Sequence, residues 1–203
     1  MNGHFPRGAS PITATHIGGL RVLQWNMQHS LLNFDLLSPF LKENRFDILL
    51  IQDPPECLKE GRLFLKGFSV FLPSKGGSVS SSFSDGPLVA ILASSSLKMR
   101  QIDFNHNRAC GILVSTLIGS LAMMSAYIHY QNAEGLNDLS RFLSLTRSLS
   151  TLFLIGAEAN GDSRWWGPPH QISNDTRIRM EEFIPRPRLF DSKTLAVLSH
   201  VCF

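Results

Sequence analysis

The chain has 203 residues, 43% of them hydrophobic, and a net charge of +3. That is long enough for one domain with a sizeable core, and a positive charge this small does not by itself identify a nucleic-acid binder. Its three cysteines, Cys57, Cys110 and Cys202, are odd in number and far apart, with no C-x-x-C, which argues against a disulfide framework or structural zinc and for a reducing intracellular compartment.

No apolar run reaches the roughly 18 residues a membrane span needs. Residues 1–18 carry Gly, Pro, Ser and Thr without an apolar block, so they lack the core of a signal peptide and read as a disordered leader to a domain over 19–203. After Gly18-Gly19, residues 20–27 alternate as a first strand. Leu32, Leu36, Leu37, Phe40 and Leu41 have helical spacing within 31–44, where Pro39 predicts a late start or a kink. Residues 47–52, D-I-L-L-I-Q, are a continuous apolar run, hence a strand covered on both faces, stopped by Pro54-Pro55.

Residues 68–72 read as a short strand and 75–85 as a mobile Gly/Ser loop. Three further strands follow at 87–93, 109–117 and 121–127, the last two joined by a hairpin turn at Ile118-Gly119-Ser120. Leu139, Phe142, Leu143, Thr146 and Leu149 mark a helix over 136–149. The apolar run 152–155 is a buried strand ending at Gly156, and 176–184 is a short helix closed by Pro185. Strands and helices alternate at both ends around a hairpin region, which predicts an α/β sandwich of two sheets.

Four of these strands end in polar groups. Asn26 closes the first; Gln52 and Asp53 close the second; Tyr127, followed by His129, closes another; Glu158 and Asn160 follow 152–155. Such strand ends are where layered α/β sheets build sites, although one Asn or Asp there is ordinarily a turn former or a helix cap. In an extended segment residues i and i+2 share a side, so Glu158 and Asn160 would stand together. The set suits phosphodiester hydrolysis. Asp53 and Asn26 supply hard oxygens for Mg²⁺, which keeps several waters; Glu158 can orient or deprotonate water; Asn160 and Tyr127 can hydrogen-bond phosphate oxygens.

The ordered segments Q-W-N, D-I-L-L-I-Q-D-P, S-A-Y and L-I-G-A-E-A-N-G-D-S-R-W-W-G resemble the exonuclease–endonuclease–phosphatase superfamily, and within it the apurinic-endonuclease-like domain of non-LTR (LINE-type) retrotransposons. The resemblance runs over residues 20–184. It implies a DNase I-like sandwich that nicks DNA using Mg²⁺, with Mn²⁺ as an alternative. Asn26 matches the first-strand asparagine near the metal and Asp53 the position of the metal-binding glutamate. Tyr127 matches the active-site tyrosine, Glu158 the position of the water-activating aspartate, Asn160 its partner asparagine, and Trp166-Gly167 the following W-G. Arg177 and Arg179 resemble the next helix. The resemblance further implies a monomer in the nucleus and a parent polyprotein that can carry a reverse transcriptase.

The chain departs from that pattern in three ways. Asp replaces Glu at 53 and Glu replaces Asp at 158, and about 1 Å of misplacement can cost roughly 10²-fold in rate. Glu56 is the carboxylate able to substitute for Asp53. The family's final Ser-Asp-His has no equivalent, Leu198-Ser199-His200 coming too soon after Asn160, so the expectation is a C-terminally incomplete domain lacking its last strands. Two other functions therefore stand beside DNA nicking: an inactive relic binding nucleic acid weakly, and a phosphomonoesterase. Arg164, Trp166 and Arg177 are candidate DNA contacts; the bland alternatives are a solvated basic face, shared with Arg179, Arg186 and Arg188, and a tryptophan packed under its own loop.

Overall fold

In the computed structural model, the described residues are 12–61, 64–73, 86–104, 107–117, 119–128, 140, 141, 144, 152–159 and 194–200. The expected loop at 75–85 and helix at 176–184 lie outside them, as does most of the helix expected at 136–149, of which 140, 141 and 144 are helical.

Two five-stranded sheets face each other. The first has the order β1-β2-β3-β5-β4, from β1 (Ile12–Ile17), β2 (Leu20–Asn26), β3 (Ile48–Gln52), β4 (Phe68–Phe71) and β5 (Val89–Ser94). The second has the order β10-β9-β8-β7-β6, from β6 (Met99–Ile102), β7 (Ala109–Thr116), β8 (Gly119–Ile128), β9 (Leu152–Ala159) and β10 (Thr194–His200). The first sheet has one parallel pairing, β2 with β3, and the second has two, β8 with β9 and β9 with β10; the other pairings are antiparallel.

The side-chain period of two decides which residues meet. Val22, Ile48, Leu50, Val89 and Ile91 of the first sheet pack against Cys110, Ile112, Val114, Leu121, Met123 and Leu154 of the second. The alternate residues Leu23, Trp25, Leu49, Ile51, Ala90 and Leu92 turn outward onto Phe34 and Leu37 of helix α1 (Leu31–Glu43). Residues of β3 are thus buried on both faces, as its unbroken apolar run predicts. Outside the second sheet, Phe104, Ala122, Met124 and Ile155 form a separate apolar layer, and Arg141 donates to the Phe104 carbonyl at 3.0 Å.

Several sequence expectations need correction. Residues 12–17 are not leader coil: they form β1, antiparallel to β2, because Gly18 (φ 57°) and Gly19 (φ 82°) supply the two left-handed positions of a tight hairpin turn. Helix α1 is not delayed by Pro39. It starts at Leu31, where Ser30 caps it by accepting from the Asn33 amide at 3.3 Å, and Pro39 lies on its exposed side. Gly119 is the first residue of β8 rather than the middle of a turn, pairing with Thr116. The strand at 152–155 does not end at Gly156 but runs on to Ala159, since Gly156 serves close packing. A Cβ there would lie 2.7 Å from Leu50 Cδ1 and 3.0 Å from Leu50 Cβ. Strands β6 and β10 and the one-turn helix α2 (Glu56–Lys59) were not anticipated; β6 is short, with Arg100 and Gln101 exposed, so it carries little apolar signal. Strand β10 lies parallel to β9, His200 opposite Glu158. Among the described residues no helix is long and apolar enough to cross a membrane.

Candidate functional site

The inward stripes change character along their length. In β2 the sequence is Val22, Gln24, Asn26; in β3 it is Ile48, Leu50, Gln52; in β8 it is Leu121, Met123, Ser125, Tyr127. Each passes from apolar to polar toward its C-terminal end. Gln24, Asn26, Gln52 and Ser125 are the buried polar residues among those described.

Burial at this depth requires partners, and the partners tie the sheets together. Gln52 donates from Nε2 to Ser125 Oγ at 2.9 Å and to the Gly156 carbonyl at 3.2 Å. Ser125 Oγ donates back to the Ile51 carbonyl at 2.8 Å. Gln24 Nε2 donates to the Ala157 carbonyl at 3.1 Å and approaches Gln52 Oε1 at 3.4 Å. The close approach permitted by Gly156 is what lets these amides reach the backbone of β9 across the gap.

That ladder fixes how the strand ends meet. Asn26 pairs in register with Gln52, and Tyr127 with Glu158. Tyr127 and Glu158 stand two residues, about 7 Å of strand, beyond Ser125 and Gly156, which Gln52 touches. The backbones carrying Asn26, Gln52-Asp53, Tyr127 and Glu158 therefore converge at one end of the sandwich. The half-buried Tyr127 packs against the inter-sheet core, and its amide donates to the Arg108 carbonyl at 2.9 Å.

The loop after β2 is shaped by Asn26, whose Oδ1 accepts from the Gln28 amide at 2.8 Å in an Asx turn. Gln28 (φ 51°), His29 (φ 55°) and Asp53 (φ 44°) all adopt the left-handed conformation that non-glycine residues resist. Hydrogen bonds hold the two loops in that state. The Met27 amide donates to the Gln52 carbonyl at 2.9 Å, the His29 amide to the Asp53 carbonyl at 2.8 Å, and the Asp53 amide to the Leu88 carbonyl at 2.9 Å. Such local strain is found where a site is held in a set geometry. The Asp53 side chain is 14% exposed, and its Oδ1 lies 3.5 Å from Nε2 of His29, which is 54% exposed.

Of the sequence candidates, Asn26, Asp53 and Tyr127 lie at this end with their side chains described, and Glu158 lies there by backbone register. Asn160, Arg164, Trp166 and Arg177 fall outside the described residues, as do His129 and Trp165. Glu56 begins α2 and pairs with Lys59 at 3.3 Å. Sequence reasoning missed Gln24 and Ser125 as the joint between sheets, and His29, whose backbone conformation and loop partner leave no mark in the sequence. Among the described residues no three His, Cys, Asp or Glu side chains gather as a ready metal cage. A single carboxylate such as Asp53 nevertheless suits a hard divalent ion that keeps most of its waters.

No protein-family model matches the chain, and no curated protein matches its sequence. Solved structures do. The endonuclease domain of TRAS1, a telomere-specific non-LTR retrotransposon, is 21% identical, with a TM-score of 0.62 over 80% of this chain and 68% of that one. A humanised D. rerio TDP2 carrying 14 mutations is 14% identical, with a TM-score of 0.43 over 64% of this chain and 56% of that one. The AP endonuclease LMAP from Leishmania major is 16% identical, with a TM-score of 0.40 over 64% and 46%. The two facing mixed sheets and the similarity to the TRAS1 domain give this chain the fold of a DNase I-like α/β sandwich.

Proposed function

We propose that the chain is a divalent-cation-dependent phosphodiesterase domain that nicks DNA. The observation carrying this reading is the convergence of four strand ends, bearing Asn26, Asp53, Tyr127 and Glu158, at one end of a DNase I-like sandwich. Its support from known structures is the similarity to an endonuclease domain.

In this reading Asp53 and the Asn26 carboxamide would hold Mg²⁺ or Mn²⁺, which would supply positive charge to the scissile phosphate. Tyr127 and Asn160 donate hydrogen bonds to phosphate oxygens as their charge grows. Glu158 orients the attacking water and accepts its proton. Arg164, Arg177 and Trp166 bear on flanking DNA, the arginines against phosphates. Loops pinned by Met27 and His29 amides keep Asp53 in place before substrate arrives, and removing such reorganisation from the reaction step is how a site gains rate.

A second reading, a fold that binds nucleic acid without cutting it, is favoured by the carboxylate lengths at positions 53 and 158. One experiment separates the two. Supercoiled plasmid incubated with the purified chain and Mg²⁺ or Mn²⁺ is expected to relax to nicked circles. Tyr127→Phe should slow nicking by about 10²-fold or more, the scale of losing one transition-state donor, and Asp53→Ala by at least as much through loss of the cation's charge. Plasmid retained in a gel shift without cation and never nicked would overturn the enzyme reading in favour of the second. Turnover of a simple phosphomonoester in place of plasmid would overturn both.

A further inference from the structure

The carboxamide of Gln52 meets all the strands that end in a described or register-placed site residue. Its Nε2 donates to Ser125 Oγ at 2.9 Å and to the Gly156 carbonyl at 3.2 Å, and its Oε1 faces Gln24 Nε2 at 3.4 Å. A carbonyl only accepts, so the Gly156 contact fixes which end of the amide is nitrogen. Each partner lies one pleat short of a site residue. Asn26 is two positions past Gln24, Tyr127 two past Ser125 and Glu158 two past Gly156, while Asp53 follows Gln52 itself. Residues i and i+2 of a strand share a face and stand about 7 Å apart, so a shift between the sheets at Gln52 is carried directly to the strand ends.

Cohesion alone does not call for polar groups here. One pleat deeper, Leu50 of β3 and Met123 of β8 fill the same gap with apolar side chains. A buried hydrogen bond adds little net stability once desolvation is counted, but its direction and length hold a spacing that apolar contact leaves looser. Gln52 and Ser125 are fully buried, so water cannot take the place of either partner. Ser125 Oγ donates in turn to the Ile51 carbonyl at 2.8 Å, so the sheets are bonded in both directions at one level.

We propose that Gln52 is a positioning residue for the reaction: with Ser125 it sets the distance between Asp53 on one sheet and Tyr127 and Glu158 on the other. The inference rests on the endonuclease reading above for the reaction and on the inter-sheet hydrogen bonds for the geometry. Misplacement of a reacting group by about 1 Å costs roughly 10²-fold in rate, so the tie acts on turnover although it touches no substrate.

Two variants of the full chain test it. Gln52→Met keeps an unbranched side chain without hydrogen bonds, and Ser125→Ala removes the hydroxyl alone; if the first fails to fold, the second decides. Each should lower kcat for plasmid nicking about 10²-fold and leave KM within about twofold. A cycle with Tyr127→Phe separates positioning from general loosening. Either variant combined with Tyr127→Phe should be at most about tenfold slower than Tyr127→Phe alone, whereas independent effects multiply to about 10⁴-fold. Amide exchange reads the geometry without DNA or cation. The Asp53 and Tyr127 amides, bonded to the Leu88 and Arg108 carbonyls, should exchange at least about tenfold faster in each variant while Leu50 and Met123 stay protected. Multiplied rate losses, undiminished nicking, unchanged exchange at the strand ends or equal loosening of Leu50 and Met123 would each overturn the proposal. The outcomes separate. Strand ends loosened by the variants of a chain that never nicks refute the endonuclease reading alone. Wild-type nicking that both variants retain refutes the positioning role alone.

Discussion

Gly156 shows how one residue sets the spacing of two sheets. Its missing side chain leaves room for Leu50 and brings the β9 backbone within reach of the Gln24 and Gln52 amides. Gly156→Ala would place a Cβ 2.7 Å from Leu50 Cδ1, and overpacking of this kind costs about 1–3 kcal/mol. Leu50→Ala removes the Cδ1 clash, though its Cβ stays 3.0 Å away, and leaves a cavity costing about 2–5 kcal/mol. The double variant should lose less than the sum, by about 0.5–3 kcal/mol, because the residues touch. Urea midpoints for the four proteins measure this; strict additivity would show that the glycine is needed for another reason. The glycine is visible in the sequence, but its reason is not. Read locally it resembles a strand terminator, whereas its partner Leu50 belongs to the other sheet. The left-handed backbones of Gln28, His29 and Asp53 were hidden for the same reason, since contacts between two separate loops impose them.

At the scale of elements, what could be read depended on apolar signal. The interior strands β3, β5, β7 and β8 are apolar runs and were legible as such. The edges were not. In β6 Arg100 and Gln101 are exposed, and β1 stood behind a Gly-Gly pair that resembles a break as much as a hairpin. That pair makes a local prediction. Gly19 has φ 82°, and a Cβ on it would find no atom within 4 Å, so a side chain there meets open space but a disfavoured backbone. Gly19→Val should therefore cost about 1–2 kcal/mol at the turn alone. Faster amide exchange across β1 with unchanged protection in β3 is the expected pattern, because an edge hairpin can open without the sheet. If β1 protection stays the same, the strand does not depend on its turn.

For the molecule as a whole, the inter-sheet layer runs from an apolar interior to a polar end, and both halves of that gradient have consequences. The polar end was legible because each group follows an apolar run directly; the Gln24–Gln52–Ser125 joint was not, because it exists only once the sheets face each other. In the apolar interior lies Cys110, whose thiol is pushed up from 9.0 to about 12. Burial is the main cause; a hydrogen bond from the Ile91 backbone works against it, and the charge of Asp103 adds to it. The folded protein thus holds this proton more tightly than the unfolded chain does. Its contribution to stability is complete below pH 9 and is lost as pH rises from 9 toward 12, since the unfolded thiolate forms first. At pH 10 the loss is about 1 kcal/mol relative to pH 8. Cys110→Ala is less stable at neutral pH for lack of packing, yet its stability should fall less steeply with pH. The gap between wild type and variant, measured by urea unfolding, should narrow by about 1 kcal/mol between pH 8 and pH 10. Parallel curves would mean that the thiol ionises as readily in the folded protein as in the unfolded chain, which a sealed contact between the two sheets does not allow.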